Sequence, residues 1–160
     1  MRILFVCLGN ICRSPTAEGT MRALLREAHM EHEVQLDSAG TGGWHVGEAP
    51  DRRATAAARK RGIALEGAAR TVMPQDFDDF DLLIAMDRAN LRALRQLAPS
   101  EEARSKVRLL REFDPASEGA RDLDVPDPYY GAGGGFEEVL DLVQAACEGL
   151  LEQIRQGALA

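Results

Sequence analysis

The stretch that most constrains this chain is its beginning. Ile3-Leu4-Phe5-Val6-Cys7 is an unbroken apolar run closed by Gly9. A strand with no polar alternation has no face to give to water. It belongs at the centre of a parallel sheet with helices over both faces. The next segment supplies such a helix. Ala17, Met21, Leu24, Leu25 and Ala28 recur at helical spacing. Ser14 is the expected N-cap of this helix, with Pro15 as its first residue, where a missing N–H is harmless. Glu31 to Glu33 break the pattern. Val34, Leu36 and Ser38 then alternate with polar neighbours and predict a half-exposed edge strand.

The alternation of strand and helix continues. Residues 39–50 form a glycine-rich loop that carries the only tryptophan, Trp44. Asp51 is the expected cap of a helix running to about Arg61 and closed by Gly62. Pro74 to Phe77 reads as one helical turn. Phe80 to Met86, with Leu82-Leu83-Ile84-Ala85, is a second buried strand. Asp87 caps a helix carrying Leu91, Leu94 and Leu97, which ends before Pro99. Val107, Leu109 and Leu110 form a last, shorter strand. Residues 114–135 are a long loop rich in Asp, Pro and Gly, of the kind that is usually functional in a compact domain. Phe136 to about Gln156 is an amphipathic helix with Phe136, Leu140, Val143, Cys147, Leu150, Leu151 and Ile154 on one stripe. The expected fold is therefore α/β: one domain over residues 1–160, three layers (α/β/α), and a central four-stranded parallel sheet of order 2-1-3-4. Ligands in such sheets sit beyond the carboxyl ends of the strands, where the order reverses. The first strand ends at Cys7.

The formal net charge of −7 argues against a general role in binding nucleic acid or acidic membranes. No apolar run approaches the length of a membrane span, and the N-terminus lacks the layout of a signal peptide. An odd count of three cysteines does not suggest a disulfide framework. Free thiols fit a reducing, cytoplasmic location.

The chemistry lies in Cys7-Leu8-Gly9-Asn10-Ile11-Cys12-Arg13-Ser14-Pro15. By itself, a cysteine ending a buried strand is most simply a core residue. Here it opens a loop that an arginine closes, just ahead of a helix. Such a loop can turn its amides inward, so that a tetrahedral oxyanion meets backbone N–H groups on some oxygens and an arginine fork on others. Gly9 lets the backbone curl, and Asn10 tolerates a left-handed conformation. The helix dipole and the Ser14 hydroxyl would both favour a thiolate at Cys7. Phosphoryl transfer also needs an acid for the leaving oxygen. Asp127, stiffened by Pro126 and Pro128, is one candidate; Asp122 and Asp124 compete with it. Tyr129 and Tyr130 could wall an aromatic substrate.

Together, the Cys7–Pro15 string and Asp127-Pro128-Tyr129-Tyr130-Gly131 resemble the low-molecular-weight protein tyrosine phosphatases. Asp37-Ser38-Ala39-Gly40-Thr41, Ala69-Arg70 and Met86-Asp87-Arg88-Ala89-Asn90-Leu91 match in order and spacing, so the resemblance spans nearly the whole chain. It implies a phosphotyrosine protein substrate, inhibition by inorganic phosphate and other oxyanions, and no metal or cofactor. It also implies roles for individual residues. Cys7 would attack phosphorus to give a phosphocysteine. Arg13 and the amides of Leu8, Gly9, Asn10, Ile11 and Cys12 would hold the equatorial oxygens. Asp127 would protonate the leaving phenolate and then activate water. Ser14 would stabilise the thiolate, and Asn10 would brace the loop through Ser14 and Ser38. Trp44, Tyr129 and Tyr130 would line the entrance. Cys12 would be able to form a disulfide with Cys7 and shield it from over-oxidation, making it a redox candidate.

Gly67 stands where some family members place a histidine that braces the loop asparagine. His29, His32 and His45 match no catalytic role, and their spacing gives no metal site. Cys147, on an apolar stripe, reads as packing. Two related activities remain as alternatives. A thioredoxin-linked arsenate reductase needs two further cysteines downstream, and residues 74–100 contain none. Protein-arginine phosphatases resemble this chain but carry threonine where Ile11 stands, and a less aromatic acid loop. A pure phosphopeptide-binding module would need neither Cys7 nor Asp127.

Overall fold

The structure, a computed structural model, describes residues 1–129 and 135–159. Four parallel strands form one sheet of order β2-β1-β3-β4. They are β1 (Arg2–Cys7), β2 (Gln35–Gly40), β3 (Leu82–Ala85) and β4 (Val107–Leu109). The helices are α1 (Arg13–Glu27), α2 (Arg52–Arg59), α3 (Asp76–Asp79), α4 (Arg88–Leu97), α5 (Glu101–Ser105) and α6 (Gly135–Arg155).

The apolar run of β1 is central for the reason its composition requires. Ile3, Leu4, Phe5 and Val6 are wholly buried. Ile3, Phe5 and Cys7 pack on one side with Ala17 and Met21 of α1 and Val143 and Leu150 of α6. Leu4 and Val6 pack on the other side with Phe77 of α3 and Leu94 of α4. Each such burial contributes about 1.5–3 kcal/mol before conformational entropy is set against it. β1 pairs with β2 on one edge and β3 on the other, Cys7 opposite Gly40 and Val6 opposite Ala85. The chain leaves β1 toward β2 and returns to the far side for β3. The order therefore reverses at β1, and the crevice this creates opens at Cys7.

The start of α1 differs from expectation. The helix begins at Arg13 with Cys12 as its N-cap residue, and no side chain caps it. The Ser14 hydroxyl is turned toward the loop instead. Pro15 is therefore the third helical residue rather than the first, which is tolerated because the first four N–H groups have no intrahelical partner anyway. The other expected caps are in place. The Asp51 carboxylate accepts from the amides of Arg53 and Ala54, and that of Asp87 from the amide of Asn90. α5 is not foreshadowed by the hydrophobic pattern; it is a five-residue turn capped by the Ser100 hydroxyl, which accepts from Ala103 N. The loop after β4 opens with two short 3₁₀ turns, Leu110–Phe113 and Pro115–Ser117. α6 lies against the first of them at Gly149, where a Cβ would stand 1.8 Å from the Phe113 carbonyl oxygen.

Candidate active site

The loop from Leu8 to Cys12 is pinned from outside by the segment after β2. Thr41 N donates to Cys7 O and Gly42 N to Leu8 O, both at 2.9 Å, and Asp51 N donates to Ile11 O at 2.8 Å. These bonds occupy carbonyls on the outer side of the loop. Asn10 adopts a left-handed conformation, φ 58°, which turns its side chain into the structure beneath. Its Nδ2 donates to Ser14 Oγ (2.8 Å) and Ser38 Oγ (3.0 Å), while its Oδ1 accepts from Arg70 N (3.0 Å). The amide of Arg70 thus takes a place in the brace that the residues around Gly67 do not fill. Arg70 is itself held by Asp37 and Asp76.

The thiol and the hydroxyl are paired. Cys7 Sγ lies 3.0 Å from Ser14 Oγ and accepts from Asn10 N at 3.3 Å. Ser14 Oγ already accepts from Asn10, so its proton is available to Sγ; the competing acceptor, Ala39 O, is farther away at 3.5 Å. Charge on the sulfur would therefore meet two donors.

Arg13 is buried, and its two edges are used differently. Nη1 donates to Asp87 Oδ2 at 2.6 Å and to Val125 O at 3.0 Å. On the other edge Nη2 makes one long contact, 3.5 Å to Asp127 Oδ2. Nε is buried with no hydrogen-bond partner among the described residues. A buried donor without a partner is costly. Arg13 lines the cleft, and an Nε–Nη2 edge is also the geometry that binds a planar or tetrahedral oxyanion bidentately. Burial alone would disfavour the charged guanidinium, but Cys7, Asp87 and Asp127 outweigh it and hold the pKa above its ordinary value. Sequence alone marks Asp87 only as a helix cap. The carboxylate has two tasks: Oδ1 caps α4 and Oδ2 holds the arginine.

Among the three candidate acids, the fold brings only Asp127 to the cleft. Asp124 Oδ1 accepts from Arg88 N, and Asp122 Oδ1 accepts from Asp124 N, so both serve turns outside it. Asp127 Oδ1 accepts from Tyr129 N in a local turn, and the side chain remains 30% exposed. The cleft over the loop encloses about 270 Å³. Cys7 and Arg13 lie at its floor, and Leu8, Ile11, Trp44 and Tyr129 form its walls. Trp44 stands 73% exposed at the mouth. Tyr130 lies outside the described residues.

His45 matches no catalytic role by sequence, yet it is part of the wall. Its ring meets Tyr129 edge-on at 5.5 Å, its Cδ2 lies 3.0 Å from where a Cβ on Gly9 would be, and Nδ1 pairs with Glu48. The available signal is its position beside Trp44 in a glycine-rich loop. Cys12 lines the same cleft as a free thiol, its pKa pushed up to about 12 by burial first and by Asp51 and Cys7 next. Cys147 is wholly buried between α6 and α1.

A parallel α/β sheet whose central strand delivers a thiol to a tight loop at the start of a helix, with an arginine fork and a carboxyl side chain in the same cleft, is an arrangement suited to phosphate-like anions. The comparisons with known proteins are more specific. A model of the low molecular weight phosphotyrosine protein phosphatases matches residues 2–158. The low molecular weight protein-tyrosine-phosphatase of Streptomyces coelicolor is 54% identical over 97% of this chain and 94% of its own length. A protein tyrosine phosphatase from Entamoeba histolytica, crystallised with Hepes in its active site, superposes with a TM-score of 0.92 at 37% identity, covering 99% of both chains. The crystal structure of a Drosophila arginine phosphatase has a TM-score of 0.88 at 32% identity, over 97% of this chain and 98% of that one. The chain belongs to the low molecular weight phosphotyrosine protein phosphatase family, and is a cysteine-dependent phosphoric monoester hydrolase.

Proposed function

We propose that this chain removes phosphate from phosphotyrosine in proteins, by way of a phosphocysteine. The observation that carries this reading is the half-used Arg13 fork, buried at the floor of a cleft directly beside the Cys7 thiol. The steps derive from that arrangement. The Cys7 thiolate attacks phosphorus in line, forming a P–S bond as the bond to the aryl oxygen breaks. The inward amides and the Nε–Nη2 edge of Arg13 hold the three equatorial oxygens as charge shifts through the transition state. Asp127, protonated, gives its proton to the departing phenolate. Its carboxylate then takes a proton from water, which attacks phosphorus; the P–S bond breaks and the thiolate returns, stabilised by Ser14 and the Asn10 amide. The walls of Leu8, Ile11, Trp44 and Tyr129 suit a flat ring. Inorganic phosphate and related oxyanions should compete for the same cradle. Three free thiols fit a cytoplasmic, reducing compartment.

Turnover of p-nitrophenyl phosphate and of a phosphotyrosine peptide by the wild type and two variants tests the scheme. Cys7→Ser should abolish it, because serine cannot form the thiophosphate. Asp127→Ala should lose about 10²–10⁴-fold on phosphotyrosine, the usual worth of a positioned acid. EDTA should leave the wild-type rate unchanged. Substantial activity in Cys7→Ser would end the covalent scheme.

A second reading has one observation in its favour, the close superposition on an arginine phosphatase. Ile11 and the aromatic wall argue for the tyrosine ester. Phosphotyrosine and phosphoarginine peptides raced on one preparation decide it, and a preference for phosphoarginine would reverse the assignment.

A further inference from the structure

Arg53 links the two halves of the cleft. Its side chain is rooted in the first turn of α2, where Asp51 Oδ1 accepts from its Nε at 3.2 Å and Asp51 Oδ2 from its Nη2 at 3.1 Å. Asp51 is in turn tied to the phosphate loop, since its amide donates to Ile11 O at 2.8 Å. From that root the guanidinium reaches across to the acid loop. Nη2 donates to Tyr129 O at 3.2 Å, and the guanidinium carbon stands 5.4 Å from the centre of the Tyr129 ring and 4.9 Å from that of Phe136. It thus touches Tyr129, two residues after Asp127, and Phe136 in the first turn of α6. Tyr129 N is the donor that orients the Asp127 carboxylate, at 3.0 Å. Burial alone would raise the Asp51 carboxyl, but the bonds from Arg53 and from the Ala54 amide hold it below its ordinary range, so the anchor remains charged.

We infer that Arg53 is a positioning residue for the general acid: it fixes Tyr129, and through the Tyr129 amide the Asp127 carboxylate, relative to the phosphate loop. This rests on Asp127 being the acid of the proposed reaction. Arg53 is exposed, and its pair with Asp51 stabilises the fold little. Its effect is geometric. Misplacing a catalytic group by about 1 Å can reduce a rate about 10²-fold. Only steps that need the proton should suffer, so the signature is selectivity between leaving groups rather than a uniform loss.

The test compares phenyl phosphate, whose leaving group needs a proton, with p-nitrophenyl phosphate, whose leaving group needs one much less. Arg53→Met keeps an apolar stem but removes the fork and the charge. Asp51→Asn keeps a residue type able to cap α2 but weakens the anchor. Arg53→Lys restores charge over the rings without the fork. We expect kcat/KM for phenyl phosphate to fall about 10-fold or more in Arg53→Met, within the range a positioned acid supplies, with a smaller fall in Asp51→Asn. p-Nitrophenyl phosphate should change less than about twofold, and Arg53→Lys should recover part of the loss, as expected for a partial cation–π replacement. Equal losses on both substrates, or none on either, would overturn the inference. Asp127→Ala, run alongside, separates the two claims. If it shows the leaving-group dependence and Arg53→Met does not, only the positioning role is lost. If Asp127→Ala shows no such dependence, the acid assignment is lost with it.

Discussion

Two cysteines five residues apart have opposite surroundings. Cys7 Sγ faces the Ser14 hydroxyl and the Asn10 amide. At Cys12, burial first and then the charges of Asp51, Cys7 and Asp127 push the pKa from 9.0 up to about 12. The sign of the linkage is fixed by that direction. The folded chain keeps the Cys12 proton while the unfolded chain loses it near pH 9.0. The stabilisation is full below the unfolded value and is lost as pH rises toward the folded one, about 12. Iodoacetamide at about pH 8, below the ordinary thiol value, should therefore modify Cys7 and spare Cys12, with phosphate protecting Cys7. Peptide mapping reads this directly, and early alkylation of Cys12 would contradict the assigned surroundings. Cys12→Ala should flatten the alkaline fall in stability between pH 9.0 and about 12, measured by urea unfolding at stepped pH.

At the scale of elements, sequence reveals whatever announces itself locally. β1 and β3 are legible because an apolar run admits few placements, and Asp51 and Asp87 because a carboxylate before a periodic segment has a known use. The Cys7–Arg13 loop is legible as a string. Three features are not. That Ser14 gives up the cap is one of them: the sequence offers its hydroxyl both to the helix and to Cys7 and Asn10, and only the closed loop shows that the second use excludes the first. The second task of Asp87 depends on a guanidinium 74 residues away. His45 enters the cleft only because the loop after β2 folds back over Gly9. Gly149 makes the same point about packing. Helix propensity predicts that Gly149→Ala stabilises α6 by about 1 kcal/mol. The Phe113 carbonyl, 1.8 Å from the new Cβ, reverses the sign. Overpacking of this kind typically costs about 1–3 kcal/mol. A chemical melt should show Gly149→Ala less stable than the wild type; a gain would mean that the turn at Leu110–Phe113 yields easily.

For the molecule as a whole, the sheet order decides where function can lie. With β1 flanked by β2 and β3, the loop after β1, the Trp44 loop after β2 and the α4 cap after β3 share one edge, and the acid segment is drawn to it by Val125 N donating to Met86 O at 2.8 Å. An anion in the cradle would join pieces of nearly every layer. Phosphate or vanadate should therefore raise the melting temperature, the gain in unfolding free energy being about 2.7 kcal/mol at 100 times its dissociation constant. Arg13→Met, which removes the fork, should abolish the shift. A shift that survives would place the anion elsewhere.

The shared carboxylate of Asp87 has one more consequence. One of its oxygens receives the Asn90 amide and the other receives Arg13. A guanidinium that shares its charge with an incoming anion draws less electron density from that carboxylate, and the helix amide registers the change. The Asn90 N–H is thus a built-in spectroscopic reporter on the far side of the arginine. Its chemical shift should move on titration with phosphate and hold still in Arg13→Met. That would let occupancy be read from a backbone signal that no substrate touches.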